Sequence, residues 1–152
     1  MNAQTALATD TAQAQLATMR INNQLLGIPG QDVREILREQ KITSIPLVNS
    51  EIAGALNLRG RIVTVIDIRP RLALPPRDAS KQAIFVVVEH KGELYSLIVD
   101  SVGDVLTIPM ADIQATPPNL DSSWRSIASG VHRLEKELLV VLDPKQLFDF
   151  KH

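Results

Sequence analysis

Residues 54–68 constrain the fold more than any other stretch. GALNL and RIVTVIDI flank the pair Arg59-Gly60. Gly60 can take the φ > 0 conformation that a tight hairpin turn needs, so the two runs are predicted to be paired strands. The second arm is apolar at almost every position from Ile62 to Ile68, which predicts a strand buried on both faces. The same grammar recurs along the chain. LATMRI and QLLGIP are separated by Asn22-Asn23, AIFVVVE and ELYSLIVD by Lys91-Gly92, and IASGV and ELLVVLD by a turn near Glu135-Lys136. ITSIP and DVLTIP are further short runs ended by proline. QDVREILRE fits either a short helix or a turn leading into a strand. Asp143 is a good N-cap and Pro144 suits a first helical position, so KQLFDF is predicted to close the chain as a helix. Short strands with frequent turns and few helices predict a mainly β fold of small barrels or a sandwich. The two halves carry similar hairpins and suggest two barrel-like lobes, although no internal sequence repeat is evident.

Composition narrows the function. The 16 basic and 17 acidic residues give a net charge of −1, which argues against a binder of phosphate backbones or anionic membrane surfaces. Aromatic residues make up only 3%, too few to spare as stacking platforms for bases or sugars. With no cysteine in the chain, disulfides, zinc–thiolate sites, iron–sulfur clusters and cysteine nucleophiles are excluded. No apolar run approaches the roughly 20 residues needed to cross a bilayer. The first 15 residues lack the basic and apolar regions of a secretory signal and are expected to be a mobile tail or a frayed helix. The simplest expected location is the cytoplasm.

No catalytic constellation emerges. His90, His132 and His152 lie at turns or at the terminus, with no metal-ligand spacing. Asp67, Asp100, Asp104 and Asp143 lie at strand or helix ends, where aspartate usually caps or turns the chain. There is no phosphate loop, no dinucleotide fingerprint and no nucleophile elbow. No cofactor and no metal are expected. On the residues alone, the chain is a small all-β binding module. Arg59 reads as a solvated turn residue and Val33-Arg34-Glu35-Ile36 as a half-buried edge strand.

The run GALNLRGRIVTVIDIRPRL resembles the central signature of CheW-like domains: Gly54, then Asn57 to Gly60, an apolar strand, Asp67 and Arg69. LLGIPGQDVREIL is similar to the family's early strand and turn through Val33, Glu35 and Ile36. LIVDSVGDVLTI is similar to a later segment through Val99, Asp100, Val102, Asp104 and Val105. ASGVHRLEKELLVVLDPKQLF is similar to the closing hairpin and helix. The resemblance covers roughly residues 16–150. The expected domain is 16–150, with one lobe over about 24–75 and the other over about 16–22 plus 82–150, after a tail at 1–15. With the chain ending directly after the closing helix, no receiver domain is expected.

The fold the resemblance implies is two five-stranded, SH3-like β-barrel lobes with an apolar groove between them and a short C-terminal helix. The implied function is non-catalytic: an adaptor joining the cytoplasmic tip of chemoreceptors to the regulatory domain of the histidine kinase CheA, at membrane-associated arrays, with possible ring assembly. Carried over by position, the receptor-binding residues are Val33, Glu35, Ile36, Gly54, Arg59 and Gly60. The kinase-facing residues are not assigned. An RNA- or translation-associated β-barrel is the alternative reading.

Overall fold

In the computed structural model, residues 12–38, 42–43, 52–78 and 80–148 are described. The expected tail before residue 12 and the end of ITSIP lie outside them. Among the described residues there are ten strands: β1 (Gln13–Ile21), β2 (Gln24–Pro29), β3 (Val33–Arg38), β4 (Ile52–Leu58), β5 (Arg61–Ile66), β6 (Ile84–His90), β7 (Glu93–Val99), β8 (Ser101–Pro109), β9 (Ala128–Arg133) and β10 (Leu138–Leu142). They form two five-stranded sheets, ordered β8-β1-β2-β10-β9 and β3-β6-β7-β5-β4. The fold is mainly β with two lobes, as expected.

The hairpin turns follow from backbone chemistry. Asn22 and Asn23 have φ of 52° and 70°, Arg59 and Gly60 of 50° and 88°, and Lys91 and Gly92 of 52° and 79°. Two successive positive φ values suit the right-handed twist of the flanking strands, and Asn and Gly accept them at least cost. The ambiguous QDVREILRE segment is a strand, β3, entered through a single 3-10 turn at Gly30–Asp32. The looser stretch before the last hairpin contains a one-turn helix, α1 (Ser122–Arg125), whose Ser123 N–H donates to the Asp121 carboxylate at 2.8 Å. The closing helix is α2 (Pro144–Phe148), and Asp143 caps it by accepting from the Lys145 N–H at 3.0 Å.

The lobe boundaries differ from the expected ones. β2 hydrogen-bonds within the sheet of β1, β8, β9 and β10, whereas β6 and β7 pair with β3 and β5. The first sheet therefore takes both ends of the described chain and the second takes residues 33–99. The chain crosses between them at Gly30–Asp32 and at Asp100. β10 runs parallel to β2, and β5 runs parallel to β7. Parallel partners are joined by long connections, so neighbouring hairpins do not show which lobe a strand joins.

The two sheets share one wiring. In hydrogen-bonding order, β8, β1, β2, β10 and β9 correspond to β3, β6, β7, β5 and β4. The ladders match residue for residue: Gly27 pairs with Thr18 and Val141, and Ser96 pairs with Val87 and Val65. Gly130 and Gly54 occupy equivalent positions, opposite Val141 and Val65. The chain order is rotated between the lobes, so the repeat does not appear as a linear repetition in the sequence.

Each lobe has its own small core. Leu16, Leu25, Ile108, Leu139 and Val141 fill the first, and Leu56, Val63, Val65, Phe85, Val87 and Leu94 fill the second. A larger shared cluster joins them, running from Met19, Leu26 and Val140 to Ile66, Val86 and Leu97, and taking in Leu147 and Phe148 of α2. One expectation for β5 fails. Ile62 is 68% exposed, while Val63, Val65 and Ile66 are buried. Ile62 lies next to the hairpin turn and alternates with Val63 and Val65, so it points to the opposite face of the strand.

Candidate functional site

The edge strand of one sheet, β8, and the edge strand of the other, β3, line a common cleft of about 190 Å³. Ala17 and Met19 of β1 and Val86 of β6 contribute from within the sheets, and no charged residue lines it among the described residues. Its rim carries two exposed aliphatic side chains, Ile36 at 48% and Val105 at 60%. Large apolar side chains left this open beside one another suit a protein-binding surface.

Val33 and Ile36 both line this cleft. Three residues apart, they would point to opposite faces of a regular strand. The register of β3 on β6 slips between Val33 and Glu35, opposite Val88 and Val87. That bulge reverses the side-chain alternation and brings Ile36 to the side of Val33.

Glu35 goes elsewhere. Its carboxylate accepts from both terminal nitrogens of Arg59, one contact measuring 3.3 Å. The Arg59 hydrogen bond holds the Glu35 carboxyl below its usual range, and Glu35 raises the Arg59 guanidinium in turn. Both residues line a second depression, with Arg34, Leu58, Arg61, Val87, Glu89 and Leu94. The six residues carried over by resemblance are thus not one patch. Val33 and Ile36 lie in the cleft between the lobes, and Glu35 and Arg59 at the depression beyond β3.

The two glycines shape the scaffold. Gly54 is buried at a bulge in β4 with φ of 155°. A Cβ there would lie 2.4 Å from the Thr43 carbonyl oxygen and 2.6 Å from Ile42 Cγ2. Its equivalent Gly130 is crowded in the same way, by Gln114 O and Ile113 Cγ2, both at 2.8 Å. Gly60 has open space around it and supplies turn conformation, its N–H donating to Asn57 Oδ1 at 2.8 Å.

One arrangement was missed in the sequence although both partners belong to the quoted motifs. Arg69 is 8% exposed, and its Nη2 donates to both oxygens of Asp100, at 2.9 and 2.7 Å. Its Nη1 donates to the Pro75 carbonyl at 2.8 Å, and Asp100 also accepts from the Asn22 N–H at 2.7 Å. Asp100 is therefore more than a strand-end cap. Arg71, two residues on, donates to the carbonyl of Gln146 in α2, at 2.6 Å. The segment after β5 is held at the crossing between the lobes by Arg69 and against α2 by Arg71. Asp67 keeps its expected local role, accepting from the Arg69 N–H at 3.1 Å.

Among the described residues, no group of three or more His, Cys, Asp or Glu side chains could hold a metal ion. His132 Nδ1 lies 3.2 Å from the Asp112 carbonyl. His90 sits beside Tyr95 and Phe148, whose rings stack with centroids 4.8 Å apart. No helix among the described residues is long and apolar enough to cross a membrane.

Comparison with known proteins agrees with this fold. The chain is 29% identical over 134 residues to a probable chemotaxis protein CheW of Rhizobium etli, covering 88% of this chain and 86% of that protein. It is 29% identical over 121 residues to the protein PilI of Pseudomonas aeruginosa, covering 80% and 68%. Its fold superposes on the crystal structure of the scaffolding protein TtCheW from Thermoanaerobacter tengcongensis with a TM-score of 0.79, at 28% identity, over 92% of this chain and 95% of that one. The model of the CheW-like domain matches residues 15–151, and the chain belongs to that family.

Proposed function

We propose that this protein is a non-catalytic adaptor that couples chemoreceptors to the histidine kinase CheA. The carrying observation is the uncharged cleft between β3 and β8, with Ile36 and Val105 exposed on its rim. A receptor tip is a helical hairpin, and an amphipathic helix docks by laying aliphatic side chains into such a cleft. Val33 and Ile36 contact the receptor directly in this reading. Glu35, Arg59, Gly54 and Gly60 act through β3 and the β4–β5 hairpin, because the Glu35–Arg59 pair ties the two together. The kinase regulatory domain binds at the same time on another face. Pairwise affinities are modest and the array gains its strength from many linked contacts. The protein works in the cytoplasm at membrane-associated arrays, and ring assembly with CheW-like folds follows the same logic.

Reconstitution tests this. Receptor fragments, kinase and this protein are combined and phosphotransfer is followed. Kinase activity that rises and comes under ligand control only with the protein present supports the adaptor. With a matched partner set, the absence of both kinase binding and activation rejects it.

A further inference from the structure

The two walls of the cleft occupy equivalent places in the two lobes. Met19 faces Val102 as Val88 faces Val33, and Ala17 faces Val105 as Val86 faces Ile36. The segments Val33-Arg34-Glu35-Ile36 and Val102-Gly103-Asp104-Val105 therefore correspond residue for residue. Each edge strand carries one extra residue in this stretch, and the bulge turns both of its aliphatic residues into the cleft. A bulge interrupts the ladder locally, so a wall built on one is held by contacts other than the ladder.

The lobes hold their bulges by different means. In the second lobe the Glu35–Arg59 pair ties β3 to the β4–β5 hairpin. The first lobe lacks the residues for that tie. Asp104 stands at the position of Glu35, but counting on from the equivalent glycines Gly54 and Gly130 brings Glu135 to the position of Arg59. Both side chains are acidic and exposed, and neither carboxylate has a hydrogen-bond or ion-pair partner among the described residues. Thr18 makes the contact instead. It is buried in β1, and its hydroxyl donates to the Asp104 carbonyl at 2.5 Å. A Cβ on Gly103 would lie 2.7 Å from that hydroxyl oxygen, so the bulge admits the contact because its extra residue is small. In the second lobe Val87 stands in place of Thr18 and Arg34 in place of Gly103.

Resting on the adaptor reading, we propose that Thr18 is a positioning residue of the receptor site: its hydroxyl fixes the β8 bulge and so holds Val102 and Val105 toward the bound helix. Valine has nearly the volume of threonine, so Thr18→Val removes the hydrogen bond and little else. Glu135→Arg then offers Asp104 the partner that Arg59 gives Glu35, and rebuilds the second lobe's device in the first.

The test compares full-length wild type, Thr18→Val, Thr18→Ser and the double variant Thr18→Val/Glu135→Arg. It measures affinity for a receptor-tip fragment and for the kinase, and amide hydrogen exchange across residues 102–106. Thr18→Val is expected to lose about three- to tenfold in receptor-tip affinity, the worth of one hydrogen bond. Its kinase affinity should stay within about twofold, as for a site that shares no contacts with the change. Its amides across residues 102–106 should exchange faster. Thr18→Ser should keep wild-type behaviour. The double variant should recover both receptor affinity and slow exchange, which would not happen if Thr18 acted only by touching the helix. Unchanged affinity and exchange in Thr18→Val overturn the assignment, as does an equal loss of kinase binding or a loss that the double variant fails to recover. A wild-type chain that binds neither protein overturns the adaptor reading, and the exchange data then decide by themselves whether Thr18 holds β8.

Discussion

Arg69 and Asp100 form a two-point ion pair at the place where the chain passes from one lobe to the other, with nitrogen–oxygen distances of 2.9 and 2.7 Å. The arginine is buried, and the Asp100 side chain is about one-third exposed. Asp100 immediately precedes β8, whose Val102 and Val105 line the cleft. The pair therefore sets the position of one wall of the proposed receptor site.

Removing one partner from such a pair strands the other. Arg69→Met should lower stability by about 2–3 kcal/mol, below the range for a fully buried pair because Asp100 keeps some water. Urea unfolding of both single variants and the double variant checks this. The double variant should be less destabilised than the sum of the singles. Strict additivity would show that the pair contributes no coupling.

Gly54 and Gly130 make a matched test of close backbone approach. Gly54→Ala should cost about 1–3 kcal/mol through overpacking. The Cβ contacts at Gly130 are slightly longer and its φ is not in the positive region, so Gly130→Ala should cost less. Thermal and urea midpoints of the two variants give the order.

Cleft variants should separate binding from folding. Ile36 and Val105 are exposed, so Ile36→Asp and Val105→Asp should leave the urea midpoint nearly unchanged. Each should weaken receptor-tip binding about tenfold or more, by placing a charge against an apolar helix face. Calorimetric titration with a receptor-tip fragment measures the loss. Unchanged affinity in both variants would move the receptor site elsewhere.

The Glu35–Arg59 tie carries a pH signature. The Glu35 carboxyl titrates below the ordinary glutamate range because Arg59 stabilises its charged form. A depressed folded pKa contributes stability that is present above the unfolded value and is lost as pH falls through the folded one. Carboxyl NMR should place the Glu35 midpoint below that of an exposed glutamate, and Arg59→Gln should raise it. Arg59→Glu should reduce receptor control of the kinase while the chain stays folded. Full receptor control in that variant would remove the pair from the coupling site.

Much of this protein is legible in one dimension. The paired turn residues Asn22-Asn23, Arg59-Gly60 and Lys91-Gly92 mark three hairpins, because positive φ at two successive positions is a local demand on residue type. Asp143-Pro144 marks the closing helix for the same reason. Val33, Ile36 and Arg59 enter the proposed site by resemblance alone, and short apolar runs placed most strands within a residue or two. QDVREILRE resisted, since its short period fits helix or strand equally. Ile62 is exposed against expectation because burial depends on which face of a strand meets the core, and it points to the face opposite Val63 and Val65 beside the turn.

What the sequence determined, then, is the local geometry: strands, turns, caps and the family those motifs belong to. Tertiary structure decided everything that depends on which strands meet. It paired β2 with β10 and β5 with β7 across long connections, and so redrew the lobes. Through one bulge in β3 it turned Val33 and Ile36 to the cleft while Glu35 faces Arg59. It joined Arg69 to Asp100, and the Thr18 hydroxyl to the Asp104 carbonyl. These outcomes rest on register and on contacts between residues far apart in the chain, and neither is fixed by the local preferences of a single segment.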